Sequence, residues 1–243
     1  MMVCMHEMST VKCPGEDTMG KKDKKETLSE EETARQRAVV EAIVEDEQYK
    51  AGAQQTISDV IGRLSEIGMA LAAKKERKVV NQISGRIKNT DSVYKKIRRK
   101  GYSADKEGVF RCNDLLGVRM VCLFMDDVYE VAACLKEQAN IRIVKEKDYI
   151  RKPKSNGYMS LHLILEIMEE EEAEEMQSRK KVEVQLRTVA MDFWSVLDHQ
   201  LVYKKEFPGA DSVGKELKAY AATIAELDKK MLDLRKKIDS LKV

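Results

Sequence analysis

The stretch VEVQLRT, residues 182–188, decides how the middle of this chain is read. In a β-strand, successive side chains point to opposite faces. Val182, Val184 and Leu186 then share one face, and Glu183, Gln185 and Arg187 the other. The apolar face is core. The polar face sets an acid, an amide and a guanidinium in a row, which look either at water or at a bound ligand.

Working outward, YMSLHLILEI (158–167) also alternates. Leu161, Leu163, Leu165 and Ile167 lie on one side, and Tyr158, Ser160 and His162 on the other. The acidic run between the two strands, EEEEAEE (169–175), reads as a solvated hairpin tip. Upstream, VRMVCLF (118–124) and IRIVKEKDY (141–149) read as strands around an amphipathic helix, DDVYEVAACLKEQ (126–138). Pro153 and Asn-Gly mark RKPKSNG (151–157) as a loop.

Helices flank this β region. From Ser29 to about Lys78 the pattern is helical, opened by the capping box SEEE and continued by Ile57, Val60, Ile61, Leu64 and Ile67. A short basic helix spans 91–100 and ends at Gly101. Two more are expected over about 190–204 and 212–241. In the former, Ala190, Phe193, Trp194, Leu197 and Leu201 make a stripe expected to be buried, with Asp192, His199 and Tyr203 on another face. Residues 1–27 show no periodicity and read as a disordered tail; 28–243 read as one α/β or α+β domain.

Composition sets bounds. The chain has 243 residues, 43% hydrophobic and 35% charged, which suits a soluble protein with many exposed helices. No apolar run is long enough to span a membrane, and no apolar leader is visible, so neither membrane insertion nor secretion is expected. Five cysteines without CxxC or Cys/His spacing point to a reducing cytoplasm and no zinc. The 44 basic and 42 acidic residues nearly cancel but are segregated: 86–102 holds seven basic residues and one acid. That clustering suggests a local anion site.

Several side chains carry candidate chemistry. Lys96, Arg99 and Lys100 share a helix side, with Arg86 and Lys88 just ahead; they read as a polyphosphate site or as a solvated face. Asp114, before a strand, reads as a turn cap, and spacing alone does not bring it beside Glu183. Glu183 is an exposed sheet-face residue, half of a salt bridge, or a metal ligand or general base. Tyr158 is either an ordinary strand aromatic or a ring able to stack on a base.

Four segments together resemble the synthetase domain of the RelA/SpoT homologues, most closely the small single-domain alarmone synthetases. They are SGRIKNTDSVYKKIRRKGY, DLLGVRMVCLFMDDVY, EKDYIRKPKSNGYMSLHL and VEVQLRTVAMDFWSVLDHQLVYK, in order over about residues 80–205. The resemblance implies a nucleotidyltransferase-like mixed sheet flanked by helices. It also implies transfer of pyrophosphate from ATP to the 3′-hydroxyl of GDP or GTP, giving (p)ppGpp. Carried over by position, Arg86 and Arg119 would sandwich adenine, and Lys88, Lys96 and Arg99 would hold ATP phosphates. Asp114 would bind Mg²⁺, and Glu183 would bind Mg²⁺ or activate the hydroxyl. Tyr158 would stack on guanine, with Lys154, Asn156, His162, Gln185, Arg187, Asp192 and His199 around the acceptor.

Met159, Asn89, Asn113 and Asp192 depart from the family pattern. Rival readings are a toxin-like relative that pyrophosphorylates adenosine nucleotides or tRNA, and a non-catalytic nucleotide- or RNA-binding module. The resemblance also implies a homotetramer, with an allosteric nucleotide or single-stranded RNA as further partners. Leu217, Tyr220, Ile224, Leu227, Met231, Leu234, Ile238 and Leu241 form a coiled-coil-like seam suited to self-association or to packing on the chain's own domain.

Overall fold

The computed structural model describes residues 29–168, 181–201 and 210–241; the N-terminal tail and the acidic hairpin tip expected above lie outside them. Helix α1 (Glu30–Val44) starts where Ser29 accepts a hydrogen bond from the Glu32 amide at 3.1 Å. The long helix expected over 29–78 is in fact two, because Asp46 caps a new start by accepting from the Tyr49 amide at 2.8 Å. That second helix, α2 (Glu47–Lys75), ends at Glu76 in the left-handed region.

Among the described residues five strands follow: β1 (Val80–Ile87), β2 (Leu116–Cys122), β3 (Ile141–Asp148), β4 (Leu161–Ile167) and β5 (Lys181–Thr188). They form one mixed sheet in the order β1-β2-β5-β4-β3, parallel only between β2 and β5. The intervening helices are α3 (Thr90–Lys100), α4 (Lys106–Phe110) and α5 (Met125–Lys136). Strand β4 begins later than the alternation implied, so Tyr158 and Ser160 precede it.

Helices α2 and α5 cover one face of the sheet. Ile57, Leu64, Val131 and Leu135 meet Val118, Met120, Leu163, Val184 and Leu186 there. The apolar half of VEVQLRT thus lies in the core, as its alternation required. Gly85 in β1 lets α2 cross closely: a Cβ there would lie 2.2 Å from Ile57 Cγ2. A smaller core joins α1, α3 and α4 through Val40, Val93, Ile97 and Val109.

Helix α6 (Val189–Leu201) corrects the expected stripe. Met191 and Trp194 are buried, whereas Phe193, Leu197 and Leu201 are exposed. Helix α7 (Ala210–Ser240) packs through Leu217, Ala221, Asp228 and Leu232. Trp194 Nε1 donates to the Leu217 carbonyl at 2.9 Å, and Thr188 Oγ1 to Asp228 Oδ2 at 2.6 Å. Of the seam residues, Tyr220, Leu227, Met231, Leu234, Ile238 and Leu241 face outward. Among the described residues, no helix is long and apolar enough to cross a membrane.

Candidate active site

Strand register assembles the polar face. Arg119 and His162 both pair with Gln185, from β2 and β4 on either side of β5. One step along, Gly117 separates Arg86 from Glu183, so these two side chains flank a strip of bare backbone. A cleft of about 220 Å³ opens there, lined by Ser84, Arg86, Asp114, Arg119, Glu183 and Gln185. The row of polar groups in VEVQLRT therefore borders a cavity.

Asp114 sits in the turn before β2 and is held by two ammonium groups: Lys88 Nζ at 2.8 Å and Lys96 Nζ at 2.5 Å. Burial pushes its carboxyl up, but the two lysines outweigh that and leave it below the ordinary carboxylate range. Asn89 caps α3 by accepting from the Ser92 amide at 2.9 Å, which fixes the helix that carries Lys96. Arg99, one turn beyond Lys96, is exposed and does not line the cleft.

Glu183 receives hydrogen bonds on both oxygens, from His162 Nδ1 at 3.3 Å and from Gln185 Nε2 at 2.8 Å. Burial again pushes up, but these two contacts prevail and its carboxyl is lowered. Arg187 reaches the Tyr158 hydroxyl at 2.9 Å, Gln185 Oε1 at 2.8 Å and Asp192 Oδ1 at 3.3 Å. Asp192 also accepts from Arg119 at 3.4 Å, so its charge bridges two arginines.

At the other end of this face, Tyr158 is half-buried and its hydroxyl lies 2.8 Å from His162 Nε2. Burial raises its phenol above the ordinary value. The Lys154 ammonium stands 4.6 Å from the Tyr158 ring centroid and 4.7 Å from that of Tyr149. Asn156 accepts from the Tyr158 amide at 3.2 Å and donates to Asp198 at 3.4 Å. His199, next along α6, is exposed. Tyr149 and Asp198 escaped the sequence reading; the Tyr beside KPKSNGY was the available signal for the first, and the second had none.

The donor set suits magnesium. Among the described residues no cluster of three His, Cys, Asp or Glu side chains forms a metal cage. Two carboxylates on one cleft, Asp114 and Glu183, match instead an ion that takes one or two carboxylates and completes its shell with phosphate oxygens and water.

A mixed sheet bearing two carboxylates, a set of cations and a half-buried tyrosine over one face suits a transferase acting on nucleotides. The family described as "region found in RelA / SpoT proteins" matches residues 85–207. The GTP pyrophosphokinase YwaC of Bacillus subtilis is 40% identical over 164 residues, covering 66% of this chain and 76% of the relative. Two solved structures from the same organism are also similar. Small alarmone synthetase 1 bound to its product pppGpp has a TM-score of 0.67 at 26% identity, over 80% of this chain and 100% of the other. Small alarmone synthetase 2 has a TM-score of 0.63 at 35% identity, over 76% and 96%. The chain belongs to the RelA/SpoT family, among its small alarmone synthetases.

Proposed function

We propose that the cleft beside Glu183 joins ATP to a guanine nucleotide, with the roles that follow. The chain is a GTP pyrophosphokinase, making (p)ppGpp. The 3′-hydroxyl oxygen of GDP or GTP bonds to the β-phosphorus of ATP. The bond from that phosphorus to the α,β-bridging oxygen breaks, AMP leaves with the electron pair, and a Glu183 carboxylate oxygen takes the hydroxyl proton. The observation that carries this reading is the single cleft shared by Asp114, Glu183, Arg86 and Arg119, with Tyr158 tied to Glu183 through His162.

Arg86 and Arg119 would grip the adenine from β1 and β2, and Lys88, Lys96 and Arg99 the phosphates. Lys88 and Lys96 are already paired with Asp114, so triphosphate oxygens exchange one anionic partner for another. Tyr158 offers its ring to guanine, with Lys154, Asn156, His162, Gln185, Asp192 and His199 nearby. Asp114 and Glu183 would hold Mg²⁺, which when bound neutralises charge on the transferring phosphate. Holding both nucleotides removes much of the entropic barrier. The outward apolar seam of α7 supports a homotetramer, and five cysteines without framework spacing fit a reducing, cytoplasmic setting.

The direct test is incubation with ATP, Mg²⁺ and GMP, GDP or GTP in turn, with products identified by mass. Adenosine nucleotides and tRNA serve as rival acceptors. Asp114→Asn and Glu183→Gln are each expected to cut turnover by about a hundredfold or more. Near-full turnover by either variant at saturating Mg²⁺ would overturn the assigned roles.

A further inference from the structure

The hydrogen bonds on the polar face close into a ring. Arg187 Nη2 donates to the Tyr158 hydroxyl oxygen and to Gln185 Oε1. Tyr158 meets His162 Nε2 at 2.8 Å, His162 Nδ1 meets Glu183 Oε1 at 3.3 Å, and Gln185 Nε2 donates to Glu183 Oε2 at 2.8 Å. One donor assignment satisfies every contact. The Glu183 carboxylate can only accept, so the imidazole hydrogen sits on Nδ1; neutral His162 then accepts the Tyr158 hydroxyl hydrogen at Nε2, and the phenolic oxygen accepts from Arg187. Arg187 is then the source of both arms and Glu183 their common end.

Burial separates the members. Arg187 is 1% exposed and His162 is 7% exposed, whereas Glu183, Gln185, Tyr158 and Asp192 are all half-buried. A nucleotide in the cleft can reach the second group, whereas Arg187 is sealed from it. Arg187 nevertheless touches three of these four residues directly, and the fourth, Glu183, through two routes. Through Asp192 it also connects with Arg119 on the donor side.

We infer that Arg187 is a positioning residue: it orients the Glu183 carboxylate and locks it, through Gln185 on one arm and His162 on the other, to the acceptor-stacking Tyr158 without touching either nucleotide. This rests on the functional reading above and deepens it. Tyr158 then has two separable parts, a ring face for the acceptor and a hydroxyl that relays position from Arg187 to Glu183. Truncating the hydroxyl alone should disturb turnover and spare acceptor affinity, a split that stacking or simple packing does not produce.

A double-mutant cycle on the purified full chain tests this, with kcat and the acceptor KM measured for each variant. Tyr158→Phe is expected to lower kcat by about tenfold while the acceptor KM stays within about threefold of wild type. In an Arg187→Met background the same Tyr158→Phe change should alter kcat by less than about twofold, because the arm is already broken. Arg187→Lys, which keeps a cation, should recover part of the turnover lost in Arg187→Met; if the methionine variant does not fold, the cycle runs in the lysine background. An unchanged kcat in Tyr158→Phe, or effects that simply multiply, would overturn the positioning role. A wild type that makes no (p)ppGpp, or an active Glu183→Gln, would instead end the underlying functional reading.

Discussion

Asn89 shows how a departure from a family pattern can be chemically quiet. The position needs a side-chain oxygen for the first turn of α3, and Asn supplies it as well as Ser. Asn89→Ser should therefore leave stability and the ATP KM unchanged. Asn89→Ala should cost about 1 kcal/mol in thermal unfolding and raise the ATP KM, since Lys96 rides on that helix. An alanine variant with wild-type melting would show that the cap is idle. Individual residues were unevenly legible: period-two alternation was enough to put Glu183, Gln185 and Arg187 on one face. It was silent on Arg187 being almost fully buried, because that burial comes from tertiary neighbours such as Tyr158, 29 positions away. Met159 reads differently from its surroundings too, being buried and clear of the polar ring.

At the scale of elements, β1 and the break between α1 and α2 were the least visible. The inward positions of β1 are Ile83, Gly85 and Ile87, and the middle one has no side chain because α2 passes over it. A register irregularity between Val80 and Gln82 removes the rest of the alternation. Strands with bulky inward residues, such as β2 and β5, were plain. The junction of α2 with α5 offers a prediction. Asp127 is fully buried in the first turn of α5, between Lys75 at 2.7 Å and Arg77 at 2.7 Å. Burial raises its carboxyl, but the two cations more than reverse this, so its folded pKa lies below the ordinary 3.8. A depressed folded pKa contributes stability that is complete above the unfolded value and is lost as pH falls through the folded one. Asp127→Asn should thus cost about 3 kcal/mol at neutral pH, and its deficit should shrink once the pH drops below about 3.8. Chemical denaturation at several pH values checks this; a deficit independent of pH would mean that the charge is not what matters.

Across the whole molecule, the apolar spacing in α7 was correct, but the side it packs with was not decidable from one strand of sequence. Leu217 turns inward beside Ala221 and Leu232, while Leu227, Leu234 and their neighbours turn out, half exposed. Leu227→Glu with Leu234→Glu should therefore leave the monomer folded and break the proposed tetramer. Light scattering at micromolar concentration checks both species. A wild-type mass equal to one chain would remove the assembly from consideration, and a variant that unfolds would place those leucines in the core after all.

The close fit of Gly157 beneath α7 has a mechanical consequence. Gly157 has φ +94°, and a Cβ there would lie 2.5 Å from Ala221 Cβ, so the loop before Tyr158 is pressed flat against the helix. The same helix grips Thr188 at the end of β5 and Trp194 in α6. It acts as a splint along the acceptor half of the molecule, with its free edge turned toward whatever it meets outside. Pressure on that edge is therefore expected to reach the proposed guanine side ahead of β1 and α3, where ATP would sit. Splitting the assembly should accordingly register in the acceptor KM and leave the ATP KM alone; equal changes in both would mean the splint is not the link.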